Sequence, residues 1–248
     1  MKVSIITATY NSQNTILEAI QSVASQSYNN IEHIIIDGKS TDNTLSIIKG
    51  NSDKISKIIS ESDEGIYDAL NKGIKNASGD IIAFLHADDI YADNTIIENA
   101  VKLFSEKETD SIYGDLQYVS KEDTNKIVRY WKSGEFTISK LKKGWMPPHP
   151  TFFVKKEVYN KFGMFDTSFR ISADYDIILR FLGNHKISTA YFPEIMIKMR
   201  VGGESNKSLK NIIKKMKEDV KALKKNKVGN WHTVLLKNII KIPQLFKK

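Results

Sequence analysis

Blocks of apolar residues separated by amphipathic stretches set the rhythm of the first hundred residues. Residues 3–8, 31–36 and 81–85 are apolar almost throughout, and 55–59 is a weaker run of the same kind. Short continuous apolar runs predict strands buried on both faces. Between them apolar residues recur at helical spacing. Ile16, Leu17, Ile20, Val23 and Ala24 follow a capping Asn14, and Leu45 and Ile48 follow Asp42. Ile66, Ala69, Leu70, Gly73 and Ile74 mark a third helix, and Ile96, Ile97, Ala100, Val101 and Phe104 a fourth. Asn and Asp suit the start of a helix because their side chains accept from the free N–H groups of its first turn. Strand and helix in alternation predict an α/β fold, a mainly parallel central sheet flanked by helices. A ligand of such a sheet sits beyond the carboxyl ends of its strands.

After about residue 110 the rhythm changes. Residues 111–119 and 126–131 predict two strands joined by a polar turn. Residues 145–150 hold Pro147, Pro148 and Pro150 around His149 and cannot be helical, because proline removes a donor and fixes φ. Residues 151–154 predict a strand, 174–181 a helix, and 186–200 strand material broken at Pro193. Beyond Ser205, Leu209, Ile212, Ile213, Met216, Val220 and Leu223 recur at helical spacing among lysines. Trp231, Val234, Leu235, Ile239, Ile240, Ile242, Leu245 and Phe246 form a second apolar set. The division this predicts is one unit over residues 1–204, in halves 1–109 and 110–204, and a C-terminal helical tail over 205–248.

Composition narrows the picture. The chain has 248 residues, enough for one large domain with an appendage. It has no cysteine, which excludes disulfides, thiolate metal sites and a cysteine nucleophile. Met1-Lys2-Val3 leads straight into the first strand, so no signal peptide is expected. No apolar run reaches the roughly 18 residues a membrane-spanning helix needs. Charge is uneven. Residues 201–248 hold thirteen lysines against Glu204, Glu218 and Asp219, a net +10, whereas residues 1–200 carry a net −2. The basic balance therefore concerns what the tail touches rather than what the body binds.

The candidate chemistry lies at the strand ends. The first run ends in Thr7-Ala8-Thr9-Tyr10-Asn11, with no glycine-rich loop for a dinucleotide. The second ends in Asp37-Gly38-Lys39-Ser40-Thr41-Asp42 and the fourth in His86-Ala87-Asp88-Asp89. Adjacent carboxylates repel unless a cation or a donor lies between them, and oxygen ligands suit Mg²⁺ or Mn²⁺ shared with substrate phosphates. Capping of the next helix accounts equally for one of the pair. Asp37 reads either as an Asp-Gly turn residue or as a carboxylate accepting from a nucleobase or ribose.

Together these segments resemble the family 2 glycosyltransferases, inverting enzymes of the nucleotide-sugar-dependent GT-A fold. The resemblance spans about residues 2–205. It is carried by the three strand ends, by Asn71-Lys72-Gly73-Ile74, by the Ala77-Ser78-Gly79-Asp80 lead into the fourth strand, by Gly163-Met164-Phe165-Asp166, and by Ala173-Asp174-Tyr175-Asp176 through Arg180. The segment 61–73 and the region of His149 resemble bacterial members that build O-antigens, capsules and other surface polysaccharides. The resemblance implies that residues 1–109 bind the nucleotide and 110–204 the acceptor. Ala8 and Tyr10 would line the base pocket, Asp37 would bond the base, and Asp63 would approach it. Asp88, at the last acid of the family's Asp-x-Asp motif, would hold Mn²⁺ or Mg²⁺, with Asp89 as a second ligand. His86 stands where the first acid of that motif usually is. Asp174 would be the general base, with alanine where the family commonly has the preceding Glu. His149 and Arg200 would lie on the acceptor or diphosphate side. The donor implied is a nucleoside diphosphate sugar, a UDP-sugar first, and the acceptor a saccharide or polyprenyl-linked saccharide.

The basic tail has three readings: a solvated face, an anionic membrane surface that its lysines and Trp231 would meet, and a dimer interface. Nucleic acid is a poor partner, since lysine without arginine makes no bidentate contacts. The expected location is the cytoplasm, at the inner face of the cell membrane. Two other functions compete. A sugar-nucleotide nucleotidyltransferase would need a glycine-rich phosphate loop after the first strand, and Thr9-Tyr10-Asn11-Ser12-Gln13 has none. A non-enzymatic basic adaptor would act through residues 205–248 alone.

Overall fold

The computed structural model describes residues 1–202 and 209–241. Residues 203–208, which include the expected boundary at 204/205, lie outside the described residues, as do Ile242, Leu245 and Phe246 of the second apolar set. In chain order the elements are β1 (Val3–Thr9), α1 (Ile16–Ala24), β2 (Ile31–Asp37), α2 (Thr44–Gly50), β3 (Lys57–Ser60), α3 (Ile66–Asn76), β4 (Ile81–Phe84), β5 (Ile90–Tyr91) and α4 (Ile96–Lys107). There follow β6 (Ser111–Val119), β7 (Ile127–Trp131), α5 (Ile138–Lys142), β8 (Phe153–Lys155), α6 (Lys156–Phe162), α7 (Ala173–Ile178), β9 (Thr189–Arg200), α8 (Leu209–Lys225) and α9 (Trp231–Lys241).

Among the described residues one sheet runs in the order β3-β2-β1-β4-β8-β6-β9-β5, with β7 paired to the outer part of β6. β1 through β4 are mutually parallel, so their carboxyl ends share one edge. β1 is buried at all seven positions. Burying side chains such as Ile5 and Ile6 contributes about 1.5–3 kcal/mol each. α3 lies so close to β1 that a Cβ at Gly73 would run into Ile6, which is why a helix-weakening residue stands mid-helix. The second half is mixed: β8 runs antiparallel between β4 and β6, and β6 pairs parallel with β9.

Two local expectations are corrected. Thr15, not Asn14, precedes α1, and the helix starts on backbone bonds to the Ser12 carbonyl. Pro193 does not break β9. Gly114 pairs with Phe192 and the next residue, Asp115, with Ile195, so Pro193 and Glu194 bulge out and the strand continues.

The larger correction concerns the tail. α8 and α9 are not a separate appendage: Ala222, Leu223, Val228 and Val234 join the main core. The expected stripe is only partly used, because Ile212, Ile213 and Met216 stay exposed. Polar anchors decide the docking. Lys225 Nζ lies 2.7 Å from Asp166 and 3.2 Å from the fully buried Asp176. Asn226 Nδ2 donates to Asp176 Oδ1 at 2.9 Å. Lys237 and Asp219, both buried, pair at 2.8 Å. A buried pair of this kind is costly to break from one side, about 3–5 kcal/mol. No helix of the described residues is long and apolar enough to cross a membrane.

Candidate active site

The turns after β1 and β2 are stitched into one wall. Gly38 N–H donates to the Thr9 carbonyl at 2.9 Å, and Thr41 N–H donates to Asn11 Oδ1 at 2.9 Å. Asn11 N–H donates to Ser40 Oγ at 2.9 Å. Ala8 is buried at the strand end, whereas Tyr10 is 61% exposed and presents an open aromatic face. Asp63 reaches over from the segment after β3. A Cβ at Gly38 would lie 2.5 Å from Asp63 Oδ2, so only glycine lets that carboxylate rest on the β2 turn. Asp63 Oδ1 accepts from Gly65 N–H at 2.9 Å.

Asp37 is placed differently from the expected base contact. It is fully buried, and its oxygens accept from Ser40 Oγ at 2.5 Å and Ser60 Oγ at 2.6 Å. It anchors the β2 turn and holds the β3 end to it.

At the end of β4, Asp88 is exposed and His86 half-buried. Burial lowers the basicity of His86, while Asp88 and Asp174 both stand close enough to favour its charged form. β4 and α7 both pack on the turn that carries His149, which brings the end of β4 and the start of α7 into one neighbourhood. Asp89 turns inward instead. It is buried, accepts the Arg200 backbone N–H at 3.3 Å on Oδ1, and leaves Oδ2 without a partner. Burial, and then the charge of Asp88, push its carboxyl well above the usual carboxylate range. Its burial and its bond to the Arg200 backbone make the expected second ligand a strut behind the crevice. Arg200 is likewise a strut rather than a free acceptor contact. Its guanidinium donates to the carbonyls of Asp88 at 2.6 Å and Lys121 at 3.2 Å, and to Glu18 at 2.6 Å.

His149 is buried, stacked on Phe84 with ring centres 5.4 Å apart, edge-on to Phe165, and 6.3 Å from the His86 ring. Burial pulls its pKa down to about 4, against the nearby Asp174 carboxylate, so at neutral pH it is an uncharged ring. Asp174 is half-buried in the first turn of α7. Its Oδ1 accepts from Tyr175 N–H at 2.8 Å and lies 3.4 Å from the Tyr67 hydroxyl, which also donates to the Ile171 carbonyl at 2.6 Å.

The crevice thus brings Tyr10, Asp63, His86, Asp88, His149 and Asp174 to one side of the sheet edge, with Asp37, Asp89 and Arg200 behind it. Sequence reading missed Tyr67 on α3, whose hydroxyl lies 3.4 Å from Asp174 Oδ1. Burial raises the pKa of that hydroxyl, and Asp174 adds to the effect. Tyr67 lay inside a recognised helix pattern but was not among its apolar positions, the one signal available. Among the described residues no three His, Asp or Glu side chains are arranged to hold a metal by protein donors alone. The exposed Asp88 fits a cation that brings substrate phosphate oxygens with it.

Comparison with known proteins bears on the family and the fold. The family model described as "Glycosyl transferase family 2" matches residues 4–171. A Mycobacterium tuberculosis protein named "Uncharacterized glycosyltransferase" is 33% identical over 180 residues, 72% of this chain and 68% of its own length. The "PGL/p-HBAD biosynthesis glycosyltransferase" of Mycobacterium bovis is 29% identical over 208 residues, 82% of this chain and 78% of its own. S. aureus TarS 1–349 in complex with UDP-GlcNAc superposes with TM-score 0.74 at 18% identity, covering 92% of this chain and 66% of that one. The mannosyltransferase PcManGT of Pyrobaculum calidifontis, in complex with GDP-Man and Mn²⁺, gives TM-score 0.67 at 17% identity, over 99% of this chain and 73% of that one. The chain spans about two thirds of the length of the TarS 1–349 chains. These superpositions establish the GT-A type of α/β fold.

Proposed function

Because this chain belongs to glycosyl transferase family 2, we propose that it moves one sugar from a nucleoside diphosphate sugar to a hydroxyl of a saccharide or lipid-linked saccharide, with inversion, in surface-polysaccharide assembly. The observation that carries this reading is the family match over residues 4–171, supported by the exposed Tyr10 and Asp88 at neighbouring strand ends and Asp174 in the first turn of α7. A UDP-sugar is the donor of choice. The TarS structure with UDP-GlcNAc, the better superposed of the two donor complexes, supports it.

The chemistry follows from placement. Tyr10 would stack on the base, with Asp63 beside it on the β2 turn. Asp88 would hold Mn²⁺ or Mg²⁺, which when bound neutralises charge on the leaving diphosphate. The acceptor oxygen attacks the anomeric carbon opposite the diphosphate. The bond from that carbon to the diphosphate oxygen breaks, and its electron pair leaves with the diphosphate. The acceptor proton passes to the Asp174 carboxylate. His149, uncharged and fixed between Phe84 and Phe165, offers a polar ring edge on the acceptor side without adding a cation.

Association with an anionic membrane surface is the second part of the proposal. Trp231, Leu235 and Ile239 recur every four residues on α9 and are all exposed, while Thr233, Val234 and Lys237 turn inward. An apolar stripe in a lysine-rich segment is suited to an interfacial position.

The test is a thermal-shift panel of UDP, GDP, dTDP and CMP with and without Mn²⁺. Ligand at 100 times its Kd adds about 2.7 kcal/mol. The expected result is a rise with UDP that depends on the metal. No rise with any nucleotide would refute the donor site.

A further inference from the structure

α7 carries Asp174, yet its own N-terminus is not capped locally. Ser172 precedes the helix, makes no side-chain capping bond, and its buried Oγ has no partner. The free N–H groups ahead of the helix are satisfied from a distant element. Glu218, on α8, accepts from Arg170 N–H at 3.2 Å, Ile171 N–H at 2.8 Å and Ser172 N–H at 3.0 Å. Three consecutive amides converge on one carboxylate, and backbone donors of this kind must be paired when removed from water.

The same helix pair grips the other side of Asp174. Lys237 Nζ sits 3.4 Å from the centre of the Tyr175 ring. Lys225 and Asn226 hold Asp176. Residues 170, 171, 172, 175 and 176 are therefore each held by a residue between 218 and 237. Arg170 extends the connection, because its Nη1 donates to the Glu64 carbonyl in the segment that carries Asp63. All of these grips come from beyond the 4–171 span of the family match.

We propose that Glu218 is a positioning residue for the reaction: it fixes the backbone entering α7, and so the direction in which the Asp174 carboxylate meets the acceptor hydroxyl. The proposal rests on Asp174 being the base, but its structural half can be read separately. Glu218→Ala removes all three acceptor contacts. Glu218→Gln keeps one acceptor oxygen and the same shape. Lys224→Ala, an exposed change on the same helix, is the control.

Two readouts are taken on the full chain. Hydrogen exchange is followed at amides 170–172. Donor turnover is followed with the nucleotide sugar that the wild type consumes from a set of UDP-, GDP- and dTDP-sugars. For Glu218→Ala the expected result is exchange at least tenfold faster at 170–172 and kcat at least tenfold lower, with donor KM and nucleotide Kd within twofold of wild type. Glu218→Gln should recover part of both, and Lys224→Ala should change neither. Unchanged exchange at 170–172 in both Glu218 variants overturns the proposal. So does faster exchange with an unchanged kcat, or a loss that appears in donor KM instead. If the wild type consumes none of the sugars, the transferase reading fails, and the exchange result alone decides whether Glu218 orders this backbone.

Discussion

At the scale of single residues the crevice separates acids that are free to act from acids that are already engaged. Asp88 is exposed, and Asp174 is half-buried with one oxygen committed to Tyr175 and Tyr67. Asp37 and Asp89 are buried and hold the walls. Asp174→Asn should therefore lower transfer at least a hundredfold while nucleotide binding stays within twofold, since general-base assistance is commonly worth about 100- to 10,000-fold. Calorimetry with UDP alongside the rate measurement checks it, and lost nucleotide binding would contradict the assignment. Asp88→Asn should do the reverse first, abolishing the metal-dependent part of nucleotide affinity. An unchanged Mn²⁺ response would contradict its role as ligand. The sequence brought these residues to the right edge but could not show which carboxylates face the crevice. Asp88 and Asp89 are neighbours with the same chemistry, and only the inward turn that lets Asp89 meet the Arg200 backbone separates them.

At the scale of elements, the strands and helices of residues 1–109 were legible because buried parallel strands read as apolar runs and their covering helices as stripes. The bulge at Pro193 and the docking of α8 and α9 were not. Periodicity detects a helix that covers a core with apolar residues, whereas α8 is fastened in large part by Glu218, Asp219, Lys225 and Asn226. The signal was there in another form: Glu218 and Asp219 are two of the three acids among the thirteen lysines of residues 201–248, and both are contacts. The outer stripe of α9 keeps its own prediction. Replacing Trp231, Leu235 and Ile239 together by Ser should reduce binding to anionic phosphatidylglycerol vesicles at low salt at least tenfold, with the melting temperature little changed. Vesicle sedimentation checks it, and equal binding by the variant would assign the attraction to the lysines alone.

At the scale of the whole molecule, the sheet sets how the protein responds to acid. His33, on β2 beside Ile5 of β1, is buried, with Nε2 at 3.1 Å from Thr7 Oγ1 and no partner for Nδ1. Burial pulls its pKa from 6.5 down to about 4. The unfolded chain therefore takes up a proton below pH 6.5 that the folded chain refuses until about pH 4. Stability falls as pH drops through that window, by about 1.4 kcal/mol for each unit of the difference. His149, buried with its pKa also about 4, adds to the same slope, so urea titrations between pH 7 and 4 should show a slope that His33→Gln reduces by about 1.4 kcal/mol per pH unit. An equal slope in the variant would place the acid sensitivity elsewhere.

The grip of α8 and α9 on the Asp174 backbone also has a meaning in time. Synthesis runs toward the carboxyl end, so the turns after β1, β2 and β4 precede Glu218 by more than a hundred residues. A chain synthesised only as far as α7 has the Asp174 carboxylate without the hold of Glu218 on the backbone before it. The orientation of Asp174 is thus supplied by segments later in the chain than the strand ends it faces.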